Sequence, residues 1–170
     1  LGPDDDLTDD AISIQIEAIT PAAGKLVIGE LTHATWNGWA PRGIVASNWM
    51  DNDYAGYWQG IAVHNGDPMT NAVYDNGIAP YISGYPSALV DRGPTIDPSV
   101  INQDFLQRIQ LPPSALLTNS AELNGNILEV DIHITFLTNV VGNWNLACVI
   151  TEDSVTSTSS GYNQSNSYSG

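Results

Sequence analysis

Few side chains in this sequence are equipped for chemistry, and their order narrows what they could do. Three histidines, His33, His64 and His133, accompany a lone cysteine, Cys148. The histidine spacing matches no metal-ligand signature, and each is expected in a loop or at the surface. One cysteine excludes an intrachain disulfide and any Cys₂His₂ or Cys₄ zinc site. Cys148 itself alternates with Leu146 and Ile150, which predicts a small buried core residue. Asp51-Asn52-Asp53-Tyr54-Ala55-Gly56 opens like a calcium loop. An EF-hand needs an oxygen ligand at its fifth position and Glu at its twelfth, and Ala55 and Ala62 stand there. The segment therefore reads as a helix end. No Gly-x-Ser-x-Gly elbow, phosphate loop or dinucleotide fingerprint is present. Asp153-Ser154-Val155 suits an acceptor for bacterial O-glycosylation, at Ser154, and Asn163-Gln164-Ser165 fits N-glycosylation at Asn163. Five Trp and seven Tyr could line a carbohydrate groove. Trp49 and Trp144 are expected in the core, and Trp36, Trp39 and Trp58 at a contact surface.

The charge balance limits the partners. Nineteen acids face only Lys25, Arg42, Arg92 and Arg108, for a net charge of −15. Phosphate neutralisation needs clustered Lys and Arg, so nucleic acid is excluded as a partner, and electrostatic binding to anionic lipid is disfavoured. Only 14% of residues are charged and 42% are hydrophobic, the composition of a folded protein with an uncharged polar surface. No apolar run reaches the roughly 18–20 residues of a membrane-spanning helix. No signal peptide is visible in Leu-Gly-Pro followed by Asp residues, and the missing initiator Met suggests a processed chain or a fragment of a longer one. Few Lys and many Asn, Ser, Thr and Gly point to an extracellular location.

These residues must be positioned by elements that the hydrophobic pattern marks. Residues 1–11 form an acidic leader. Ile12, Ile14, Ile16 and Ala18 alternate with polar neighbours as a strand with one wet face. Leu26-Val27-Ile28 begins a buried strand. Pro41 opens a helix whose inner face is expected to carry Val45, Trp49 and Met50. Gly60–His64 is a second core strand. Asp67-Pro68 opens a second helix, running through Met69, Ala72 and Val73 until Asn76-Gly77 and Pro80. Ser87–Asp91 is a third core strand. Asp97-Pro98 starts a helix with Ile101, Phe105 and Ile109 on one face, and Pro112-Pro113 ends it. Residues 12–112 thus form an α/β domain. From 113 to 155 the pattern is antiparallel β, a partial sandwich or meander, with strands over 115–123, 128–136 and 144–150 and a hairpin at Asn124-Gly125. Residues 156–170, with eight Ser or Thr, read as a loop or flexible tail.

Within the first domain, an apolar strand leads to Trp36, then to Asn37 and Ala40 three residues apart, then to Pro41 and a helix. This order resembles the active-site turn of the thioredoxin fold. More narrowly, it resembles the thioredoxin-like domain of a family of secreted or outer-membrane surface proteins of Gram-negative bacteria. In that family this stretch reads roughly Glu-x-Thr-Gly-Thr-Trp-Cys-Gly-Trp-Cys-Pro-Arg-Gly. Gly60–Met69, Ser83–Arg92, Leu146–Val155 and Ser160–Gln164 resemble later segments of the same family, in the same order. The resemblance spans roughly residues 12–165.

The resemblance implies a cell-surface or extracellular protein and a cis peptide at Tyr85–Pro86, opposite the turn. It also implies redox chemistry, because a helix N-terminus favours thiolate at the first cysteine of such a turn. Here the cysteine positions hold Asn37 and Ala40, and disulfide exchange requires a thiolate and a leaving thiol. The turn Trp36, Asn37, Gly38, Trp39, Ala40, Pro41 is therefore degenerate. The expected protein is redox-inactive, not an enzyme, and holds no cofactor and no metal. Its expected role is structural or binding, in a homo-oligomer or fibre joined by β-edges and aromatic contacts, or with a surface protein. The alternatives are an oxidoreductase whose cysteines were substituted and a glycan-binding module.

Overall fold

The structure, a computed structural model, describes residues 14, 16 and 18–168. The acidic leader and most of the first expected strand, including Ile12, lie outside them. Ile14 and Ile16 are exposed and belong to no strand.

The architecture is mixed α/β with two separate sheets. The first contains β1 (Val27–His33), β2 (Trp58–His64) and β3 (Ser87–Val90), in the order β2-β1-β3. β1 runs parallel to β2, with Val27 opposite Trp58 and His33 opposite His64, and antiparallel to β3, with Thr32 opposite Ser87. A parallel pair needs a crossover, and helix α1 (Pro41–Asp53) supplies it, with proline in its first turn. Ala88 also bridges Ile96 in antiparallel fashion, on the far side of β3. Helix α2 (Ala72–Ile78) follows β2. Helix α3 (Ile101–Arg108) follows a 3₁₀ turn at Pro98–Val100, which Asp97 caps by accepting from Ser99 N–H.

Alternation along β3 divides the core. Ala88 and Val90 join Val27, Leu31, Met50, Trp58, Ile101, Phe105 and Ile109, while Leu89 packs with Val63 and Ile78. The four-residue spacing of Ile101, Phe105 and Ile109 buries all three, each contributing on the order of 2 kcal/mol.

Three tryptophans depart from expectation. Trp58 is core rather than contact surface: its indole lies over Gly29, where an added Cβ would fall inside the ring, and its edge meets Phe105 at 5.9 Å. Trp49 and Trp144 are exposed rather than buried. On α1 only Met50 of the expected face is buried. The helix instead turns Gly43 to the sheet, where an added Cβ would stand 2.8 Å from Leu31 Cδ1. Helix α2 begins at Ala72 under an Asn71 cap rather than at Pro68; Asp67 Oδ1 does accept from Met69 N–H, but the turn it caps closes at Thr70 N–H to Asp67 O and does not continue as helix.

The second sheet is a hairpin of β4 (Ala115–Asn124) and β5 (Ile127–Phe136), turning through Gly125 at φ +64. Most of both its faces is exposed. The third strand expected at 144–150 does not form, and Leu146, Cys148 and Ile150 are exposed instead of core. A two-stranded hairpin has no covered face on which their apolar side could be buried. Among the described residues, no helix is long and apolar enough to cross a membrane.

Candidate functional site

β1 ends at His33 and delivers the chain into the turn 34–40, whose backbone closes through Asn37 N–H to Ala34 O and Ala40 N–H to Asn37 O. Asn37 is buried, and both ends of its amide are used. Nδ2 donates to Tyr85 O at 2.6 Å, and Oδ1 accepts from Trp39 N–H at 2.9 Å. Ala40 is fully buried at the start of α1 and supplies no side-chain cap. The Tyr85–Pro86 bond facing the turn is cis.

A ring of polar contacts fastens the turn to its surroundings. Tyr85 OH donates to Asp75 Oδ1 at 3.1 Å, and Asn65 Nδ2 donates to Asp75 Oδ2 at 2.7 Å. Trp36 Nε1 donates to Asn65 O at 2.8 Å, and the Trp36 ring meets Tyr85 edge-on at 6.0 Å. Burial, then the bond to Asp75, raises the Tyr85 pKa. Trp36 and Trp39 remain about half exposed.

Two histidines form the floor. His33 and His64, side by side in register, meet edge-on at 4.7 Å. His64 Nδ1 lies 2.7 Å from Asp67 Oδ2, which also accepts from Thr35 N–H at 2.9 Å. Burial opposes ionisation of Asp67, but the bonds from His64, Thr35 N–H and Met69 N–H outweigh it and hold the carboxyl below its usual range. His33 is buried rather than at the surface, and its Nδ1 has no partner. Burial first, then neighbouring His64, lowers its pKa to about 4. A solvent-open cavity of about 840 Å³ runs from these rings along β2 to residues 149–155. Beside it, Glu30 is buried with its carboxylate shared between Arg92 and Tyr74 OH, and burial with this bond pushes Tyr74 up to about 12. Among the described residues no cluster of three or more His, Cys, Asp or Glu could hold a metal ion.

Apart from a 3₁₀ turn at Ser160–Tyr162 the tail is irregular, but it is seated rather than loose. Ser165 N–H donates to Thr35 O and Ser167 N–H to Gly38 O, both at 2.8 Å. Thr35 Oγ1 donates to Gly161 O at 2.9 Å, and Gln164 Nε2 donates to Asn37 O at 2.9 Å. Tyr168 meets Trp39 edge-on at 5.3 Å. Asn163 is exposed within this segment, and Ser154 is exposed with φ +58. His133 lies on the hairpin, away from the turn.

The structure thus brings together Trp36 to Pro41, Tyr85 and Pro86, and leaves out Trp58. Asp67, Asp75, Gln164 and Gly161 were not singled out from sequence. Asp67-Pro68 read as a helix cap, and nothing in a Ser/Thr-rich tail signals where it docks.

No family model matches the sequence, and no curated protein does. Among solved structures, the chain is similar to the X-ray crystal structure of a protein from Agrobacterium tumefaciens, at 15% identity and a TM-score of 0.45. The alignment covers 66% of this chain, which spans 57% of that protein's length.

Proposed function

We propose that the chain is a secreted or cell-surface, redox-inactive thioredoxin-like protein with a structural or binding role. The observation that carries this reading is Asn37. In a thioredoxin-like frame its position belongs to the nucleophilic thiol. Here a buried amide fills it, donating to the carbonyl of the residue before the cis proline and accepting within the turn. A carboxamide nitrogen, its lone pair delocalised into the carbonyl, cannot replace a thiolate nucleophile, and Ala40 has no sulfur to resolve an intermediate. What the turn retains is shape and surface: two half-exposed indoles beside a braced loop.

Assembly through aromatic contacts and β-edges follows from this reading. The aromatic surface is Trp36 and Trp39. The β-edge is the hairpin β4–β5, which carries exposed Leu117, Leu123, Ile127 and Phe136. The charge of −15 opposes association, so salt or calcium strengthens it. Two measurements test the reading. Insulin disulfides should be reduced no faster than background, and light scattering should report growing mass as ionic strength or calcium rises. Disulfide reduction above background overturns the redox-inactive assignment. A monomer at every salt and calcium level overturns assembly.

A further inference from the structure

The outer rim of the turn presents backbone acceptors, and a segment of the same chain fills them. Thr35 O and Gly38 O accept from Ser165 and Ser167, alternate residues, which is the period of an extended strand. Asn37 O accepts from Gln164 Nε2. We propose that this rim, residues 34–39 with Pro68, is a binding site for an uncharged peptide that enters through a 3₁₀ turn and continues extended, and that residues 160–168, with their turn at Ser160–Tyr162, are its built-in ligand. The proposal rests on the reading of the turn as a binding surface without redox chemistry.

The fit is specific in shape. Gly38 has an ordinary φ, so its missing side chain is not a backbone requirement. An added Cβ would overlap Ser167 Oγ and stand 3.0 Å from Ser167 Cβ. On the ligand side, a Cβ on Gly161 would stand 2.8 Å from Pro68 Cγ. A glycine on each partner therefore permits the close approach.

The fit is also specific in chemistry. The rim offers three carbonyls and one donor, Thr35 Oγ1, so the ligand must bring N–H donors, of which the amide of Gln164 is a side-chain one, and a carbonyl such as Gly161 O. Trp39 takes an aromatic edge from Tyr168. Ser160-Gly161-Tyr162-Asn163-Gln164-Ser165-Asn166-Ser167-Tyr168 contains no charged residue, which suits a chain whose net charge would repel an acidic peptide.

The attachment is built to exchange. It consists of hydrogen bonds, the approach of Gly161 to Pro68 and one aromatic contact, and residues 137–159, which tether it, contain no helix or strand. A flexible tether of this length holds the segment at an effective concentration on the order of millimolar, which an outside peptide must overcome.

The test is a titration of a labelled Ser159–Tyr168 peptide with full-length chain. In the chain carrying Gln164→Ala and Tyr168→Ala the internal ligand is weakened while the rim is intact, and the peptide should bind at least about tenfold more tightly than to wild type. Adding Gly38→Ala should reverse that gain by about tenfold or more, and a peptide with Gly in place of Ser167 should recover part of it. In the wild-type chain the Ser165 and Ser167 amides should exchange with deuterium at least about tenfold more slowly than in the free peptide. Equal exchange rates, or equal peptide affinity in the wild-type and tail-weakened chains, overturn the inference and leave the redox-inactive reading standing. Disulfide reduction by the chain overturns that reading without altering the titration.

Discussion

Acid should loosen the floor of the turn through His33. Its ring is 5% exposed, its Nδ1 is unpartnered, and His64 stands 4.7 Å away. Burial, then His64, lowers its pKa from 6.5 to about 4. Unfolded chains take a proton at His33 as pH falls through 6.5, whereas folded chains resist until about 4. Between these values the unfolded state binds more protons. Stability contributed by neutral His33 is thus complete above 6.5, declines as pH falls, and declines no further below about 4. A gap of about 2.5 pH units at about 1.36 kcal/mol each sets a ceiling of about 3.4 kcal/mol. The Asp67 carboxylate favours the charged ring, and water reaches part of the site, so about 2 kcal/mol is expected. The assay is urea unfolding of wild type and His33→Leu between pH 7.5 and 4.5. The leucine variant should lose about 2 kcal/mol less than wild type across that range. A difference between the two proteins that does not change with pH refutes the argument, because it would mean His33 titrates alike in both states.

Two further outcomes follow from the site. Asn37→Ala removes a donor to Tyr85 O and an acceptor for Trp39 N–H in a buried place, so urea unfolding should show a loss of about 2–4 kcal/mol, and a loss below about 0.5 kcal/mol would contradict the bracing role. Cys148 is exposed, so a thiol reagent should label the native protein about as fast as the urea-unfolded one, and slow native labelling would contradict its placement.

The α/β half was readable where local signals and burial agree. Pro41 preset a helix, the apolar runs at Val27 and Gly60 became β1 and β2, and the Ile101–Phe105–Ile109 spacing became a core face. Asp67 was legible only in part: Oδ1 caps the local turn at Met69 N–H as its place before Pro68 suggests, while the bond from Oδ2 to the distant Thr35 N–H has no local signal. Trp58 was misplaced because its burial depends on Gly29, a partner across the sheet and remote in sequence. The 144–150 alternation met the strand pattern, but a strand needs a neighbour, and the two-stranded hairpin does not take it up. The docked tail was hidden for a different reason. Its ligand-like contacts are mostly made by backbone groups, which every sequence carries and no sequence pattern reveals.

The arginines and the lysine have a consequence for how this protein meets other molecules. Lys25 pairs with Asp91, Arg42 with Asp97, Arg92 with Glu30 and Arg108 with Asp104, so every Lys and Arg of the chain stands beside a carboxylate of its own fold, Arg42 and Arg92 at the surface. With each cation neutralised locally, the protein's net charge of −15 is carried by the remaining carboxylates. In dilute buffer its osmotic second virial coefficient should be positive, since copies approach one another only as like charges. Attraction between them has to come from dissolved cations, from uncharged contacts, or from acid near the isoelectric point of about 4.1. Whether copies meet is therefore governed by the ionic composition of the solution rather than by a basic side chain.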